Sequence, residues 1–279
     1  MRYRLTNVTS DCAGFDALAA LAENTGQMEY ASIEVSFSGV TWFDANMAAP
    51  LGVVLARILD RYNTLSIVDV PWGQQSILKR NGFLVNFGYP ATVFGSRGTV
   101  LPYERFRSKD ANRFYDYLYE YLPGKGLPEM TSDFSVRFLQ SLGEIFINSQ
   151  THAESNLGVF ICGQFYPLKQ RLDISIADAG ITIPGKIKQR FGVSPPAVKA
   201  LRWALTEGNT TKEDSPGGVG LKLLRDFIAL NGGCLQIASG KAFWQFQHGK
   251  ENFLELKHEF PGTVVNLEVS TADTNSYGD

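Results

Sequence analysis

Three residues on one short stretch have side chains suited to chemistry. Glu144, Asn148 and His152 follow one another at intervals of four between positions 142 and 152. On a helix that interval stacks them along one side. Phe138, Leu139, Leu142, Ile145 and Phe146 cover much of the opposite side, as in a helix packed on a sheet. A carboxylate, an amide and an imidazole in a row beside an apolar wall can hold a metal and its ligand. The same spacing also describes a plain solvated helix face, so the ladder alone does not decide.

Two further groups lie downstream. Leu172, Ile174 and Ile176 alternate with Asp173 and Ser175, a strand pattern that runs into Asp178-Ala-Gly180. A carboxylate at a strand end, followed by glycine, can accept a hydrogen bond from an exocyclic amine while the backbone passes close to a flat ring. An ordinary turn fits those residues equally well. Residues 206–221 form a polar stretch that ends in Gly217, Gly218, Gly220 and Leu221 and opens a helix marked by Leu221, Leu224 and Ile228. Free N–H groups at a helix start, reached through residues without side chains, make an anion cradle suited to phosphates. The polar part could fold over a ligand as a lid, or be a flexible surface loop.

The elements that must position these groups are legible in outline. Strands are expected at 157–165 and 171–177, a helix near 201–205, a helix from 221 that stops at Asn231-Gly-Gly233, and strands near 235–238, 243–246, 253–258 and 263–269. Upstream, residues 33–37 alternate as a strand, and Asp44 is placed to cap a helix carrying Met47, Leu51, Val54, Leu55, Ile58 and Leu59. A strand at 65–70 and a helix at 74–80, closed by Asn81-Gly82, complete an α/β unit. Residues 88–109 are rich in Gly, Pro and Arg, and 112–122 are dense in aromatics that suit packing at a domain junction. Pro123-Gly-Lys-Gly-Leu-Pro128 breaks the chain and is no phosphate-binding P-loop, because no Ser or Thr follows the Lys. The expected division is a first domain at 1–95, a connector at 96–128, a second domain at 129–270 and a flexible tail at 271–279.

Composition narrows the classes. The chain has 279 residues, 44% of them hydrophobic and 19% charged, enough for packed cores. A formal charge of −2 argues against a general nucleic-acid or anionic-membrane binder. Cys12, Cys162 and Cys234 are scattered, which suits reduced thiols better than disulfides or structural zinc. The amino-terminal residues lack the apolar core of a signal peptide, and no run of about twenty apolar residues exists to span a membrane. A cytoplasmic protein is expected.

The order of motifs says more than any one of them. Glu-x-x-x-Asn-x-x-x-His on a helix, Asp-x-Gly after a strand, Gly-Gly-x-Gly-Leu opening a helix and Gly-Thr before a last strand together resemble the GHKL ATPases over roughly residues 130–270. That superfamily includes gyrase, heat-shock protein 90, MutL proteins, histidine kinases and anti-sigma serine kinases. The resemblance implies a Bergerat fold, a layer of helices on a mixed sheet, that binds ATP with Mg²⁺. It implies that Asn148 binds the metal and that Glu144 activates the attacking water in hydrolysing members. Asp178 would accept the adenine amino proton, with Gly180 keeping the backbone close to the base. Gly217, Gly218, Gly220 and Leu221 would form the phosphate loop, and Thr263 would hold Asp178 and a water. His152 falls where related kinases often carry histidine, and a packing or lid-contact role competes there with ligand binding. One departure is Thr182, which stands at the usual second glycine of Asp-x-Gly-x-Gly.

The first ninety residues resemble STAS domains, on Phe37-Ser-Gly-Val-Thr-Trp-Phe-Asp-Ala-Asn46 and Ile77-Leu-Lys-Arg-Asn-Gly-Phe83. In anti-sigma-factor antagonists of that fold a serine at the helix start is phosphorylated. Asn46 stands at the matching place and cannot accept a phosphoryl group, so a docking or dimerising module is expected. Three functions fit the whole: an Mg-ATP-binding switch or slow ATPase, an anti-sigma-type protein serine/threonine kinase, and an ATP-binding module without turnover. Each would work through ATP or ADP and a protein partner or second copy met by the STAS-like half.

Overall fold

The computed structural model describes residues 1–91, 97–107, 110–153, 156–209 and 219–278. The chain is α/β with two separate sheets. In the first, β1 (Arg2–Arg4), β2 (Ser32–Ser36) and β3 (Thr64–Val68) lie side by side and parallel. Parallel neighbours need crossovers, which α1 (Cys12–Thr25) and α2 (Ala48–Asp60) supply. Asp11 opens α1 by accepting the Gly14 N–H at 2.9 Å. Asp44 does not cap the next helix as expected. A single 3₁₀ turn, Ala45–Met47, intervenes, and the Asp44 carboxylate accepts from Ser10 N–H and the Trp42 indole instead. The short helix α3 (Trp72–Arg80) follows β3.

The second sheet takes strands from the rest of the chain: β4 (Val100–Phe106), β5 (Val159–Tyr166), β6 (Arg171–Asp178), β7 (Cys234–Gln247) and β8 (Lys250–Ser270). Their order is β4-β5-β6-β8-β7 and every adjacent pair is antiparallel. Among the described residues the expected mixed sheet is therefore not found. Helices α6 (Ile183–Phe191), α7 (Ala197–Leu205) and α8 (Val219–Asn231) carry the chain from β6 to β7, which run the same way. Insertion of β8 between these two strands leaves no parallel neighbours.

The four short strands expected from 235 onward are two long ones. The β7–β8 ladder shifts register around Gly240, whose φ of 59° suits a residue without a side chain. The hairpin turns through His248 and Gly249, at φ 51° and 72°, the left-handed pair that a tight type I′ turn requires. Strand β4 falls within the stretch read as connector. It lies at a sheet edge, where Pro102 costs no essential N–H, and its register shifts between Leu101 and Glu104. Helix α4 (Ala111–Tyr121) follows, and its Phe114 stacks on Phe146 at 4.2 Å between ring centroids. Residues 271–278, expected to fray, are held by Tyr277: its backbone bonds Glu129 and Thr131 and its ring is buried beside Phe134 and Phe227.

Helix α5 (Ser132–Ala153) is the longest among the described residues. Thr131 caps it through the Phe134 N–H, and Phe138, Leu142, Ile145 and Phe146 are buried at the spacing of one helical face. They pack with Leu224 and Ile228 of α8 against Leu172, Ile174, Ile176 and Leu267 of the sheet. The opposite face of the same sheet is covered by α1 and α2, where Phe15, Leu18, Val54 and Leu55 share a core with Phe160, Ala177, Phe243 and Val264. The chain thus stacks as sheet, helices, sheet, helices. The polar positions of β6 are buried against the first half. Asn46 is fully buried, and its Nδ2 lies 2.7 Å from Asn266 Oδ1 and 3.0 Å from the Ser175 and Ser10 hydroxyls. Asn266 in turn donates to Gln236 Oε1 at 2.8 Å.

Candidate functional site

Helix α5 carries the first two members of the polar ladder, Glu144 and Asn148. Its Glu144 reaches α8, where Oε2 accepts the Gly220 N–H at 2.6 Å. Only glycine permits this approach: a methyl group at 220 would lie 2.6 Å from Glu144 Oε2 and 3.1 Å from Ser141 Cα. The N–H groups of a first helical turn lack partners within the helix and attract negative charge. Glu144 therefore stands where an anion would be held. The two side by side line a cleft of about 430 Å³ between α5 and α8, together with Arg137, Ser141, Lys222 and Asp226.

One turn further along α5, Asn148 Oδ1 is buried and has no hydrogen-bond partner among the described residues. A buried acceptor of this kind costs about 1–3 kcal/mol unless something satisfies it. An amide oxygen is also a suitable ligand for a hard cation. The backbone at His152 continues α5, while its side chain lies outside the described residues, as do Gly217 and Gly218. Among the described residues no group of three or more His, Cys, Asp or Glu is placed to hold a metal ion.

Asp178 ends β6 and is 3% exposed. Its Oδ1 accepts the Gly180 N–H at 2.9 Å, which pins the turn that follows. Burial pushes its carboxyl up to about 7, against the pull of hydrogen bonds from Gly180, the Ser149 side chain and the Thr263 backbone and of the Arg57 charge. Thr263 pairs with Asp178 in the sheet, and its hydroxyl lies 2.8 Å from that of Ser239. The threonine thus meets Asp178 through the backbone, and its hydroxyl is engaged elsewhere. Gly262, at φ 152°, is needed beside it, because a methyl there would sit 1.9 Å from the Asp178 carbonyl oxygen.

Thr182 has a local reason for replacing a glycine. Its hydroxyl accepts the Gly185 N–H at 3.1 Å and caps α6, with Pro184 in the first turn. Leu221 is half-buried and packs on the core between the helices and the sheet.

The structure brings Glu144 to Gly220, and Asp178 to Gly180 and Thr263, with Asn148 on α5 between these two groups. Sequence reasoning missed Ser149, Ser239 and Arg57. Ser149 sits beside the ladder and could have been found by extending it one residue. Arg57 lies on α2, far away in the chain, and nothing in the local sequence marks it. Among the described residues no helix is long and apolar enough to cross a membrane. The sequence matches no protein-family model and no curated protein.

Proposed function

We propose that the chain binds Mg-ATP across the face of its second sheet that α5 and α8 cover, and works as a slow ATPase, a nucleotide-dependent switch coupled to the first half. The reading rests on one arrangement. A single helix, α5, puts a carboxylate at the opening of α8, an amide oxygen with no partner among the described residues one turn on, and Ser149 against a buried aspartate.

Asp178, when ionised, accepts the amino proton of adenine, and the pinned Gly180 lets the ring lie against the backbone. The opening turn of α8 offers its N–H groups to phosphate oxygens. Asn148 Oδ1 would be the chain's own ligand to magnesium, with the remaining ligands coming from phosphates and water. Bound magnesium would neutralise charge on the phosphates and orient them. An anion that takes the Gly220 N–H frees Glu144 from that bond, and the released carboxylate can then accept a proton from the attacking water. Coupling to the first half has a physical basis, since α1 and α2 share a core with the back of the same sheet.

Incubation with terminally labelled ATP, alone and with cell extract, tests the assignment. Release of free labelled phosphate by the protein alone is expected. A labelled partner would favour a protein serine/threonine kinase, with Glu144 taking the proton of a partner hydroxyl. Binding with neither product would leave an ATP-dependent interaction module.

A further inference from the structure

Arg57 crosses from the first half of the chain to the base end of the proposed site. It stands on α2 among Val53, Val54, Ala56 and Ile58, all buried. Its Nη2 donates to the carbonyl of Ala179 at 2.6 Å and approaches that of Gly180 at 3.3 Å. Its Nε is buried without a partner among the described residues. A guanidinium is planar and always charged, so it holds two adjacent carbonyls in one fixed relation. Those carbonyls belong to the turn whose Gly180 N–H is bonded to the Asp178 carboxylate. The same turn is therefore gripped from both sides: from within by Asp178, and from the other half by Arg57.

We propose that Arg57 is a positioning residue through which the first half sets the shape of the adenine-recognising turn. The inference rests on the nucleotide reading above. A shift of α2 relative to the sheet would carry the guanidinium with it and move Gly180 against the base, leaving the opening of α8 untouched. A purely structural arginine, by contrast, would affect all ligands only through overall stability.

The test is calorimetry on the full chain with Mg-ATP, Mg-ADP, adenosine and Mg-tripolyphosphate, with thermal melting as a check on folding. Arg57→Met keeps the apolar stem and removes the fork. Arg57→Lys keeps the charge and guards against a Met variant that does not fold. Roughly tenfold weaker binding of ATP, ADP and adenosine is expected for Arg57→Met, as for a lost charge-assisted contact. Tripolyphosphate should bind as in the parent, and Arg57→Lys should fall between. Undiminished adenosine binding in a folded variant, or equal weakening of all four ligands, would overturn the proposal alone. A parent that binds no adenine compound would overturn the nucleotide reading and this inference with it.

Discussion

The Gly220 N–H donates to Glu144 Oε2 at 2.6 Å, so the carboxylate proposed as general base also caps the helix proposed to cradle phosphate. On the proposed reading, one side chain occupies the anion position and supplies the chemistry that follows its displacement. This makes phosphate binding and activation of the base a single event. The capping bond itself contributes about 0.5–2 kcal/mol to the start of α8.

Glu144→Ala should leave Mg-ATP affinity within a few-fold of the parent, because competition for the helix start disappears along with the cap. Phosphate release should fall to background, a loss confined to the transition state. A phosphate-release assay beside a binding titration reads both. Parental turnover in the variant would remove Glu144 from the mechanism.

Asp178 gives a pH signature with a fixed sign. Its folded value of about 7 lies above the ordinary 3.8, so the folded chain holds this proton more tightly than the unfolded one. The stability it contributes is full below about pH 4 and is lost as pH rises through about 7, up to about 4 kcal/mol at about 1.4 kcal/mol per unit. Asp173 and Glu268 are also raised by burial and slope the same way, so the comparison must be between parent and variant. Urea unfolding at pH 5 and pH 8 should show the parent losing more stability than Asp178→Asn. Parallel behaviour would contradict the burial assigned to this carboxyl.

Much of this site could be read from residue order, because its parts are local motifs. The four-residue spacing of Glu144 and Asn148 places them on one side of α5, and Asp178 follows an alternating strand. What could not be read depends on distant contacts. Alternation of Asp173 and Ser175 with Leu172, Ile174 and Ile176 ordinarily marks one face open to water, yet here Asn46 and its neighbours bury that face. Strand β4 is disguised by Pro102, which an edge strand tolerates, and by the charged pair Glu104 and Arg105 within it. Helix α1 has an alanine-rich sequence whose buried positions, Phe15, Leu18, Ala19 and Leu21, acquire meaning only against the sheet they cover.

Gly220→Ala should force α5 and α8 apart, since the added methyl meets Ser141 Cα and Glu144 together. A cost of about 1–3 kcal/mol is expected from overpacking, with loss of nucleotide binding. Thermal melting and an ATP titration measure the two. A variant with the parental melting temperature would show that the helices do not approach this closely.

Asn46→Ala should weaken the junction between the halves. The substitution removes the amide donor from buried Asn266 and Ser175 and from half-buried Ser10, at a cost of about 1–3 kcal/mol. Because the halves share a core, urea unfolding should remain one transition with a lower midpoint. An unchanged midpoint would mean that the network adds nothing to the packing around it.

Isothermal calorimetry of the parent and Asn148→Ala with ATP, in magnesium and then in excess chelator, addresses the central claim most directly. The parent should bind one ATP per chain in magnesium and bind it at least tenfold more weakly in chelator, while Asn148→Ala should show no magnesium-dependent gain. If the parent binds no ATP or ADP in magnesium, the nucleotide site proposed between Asp178 and the start of α8 does not exist.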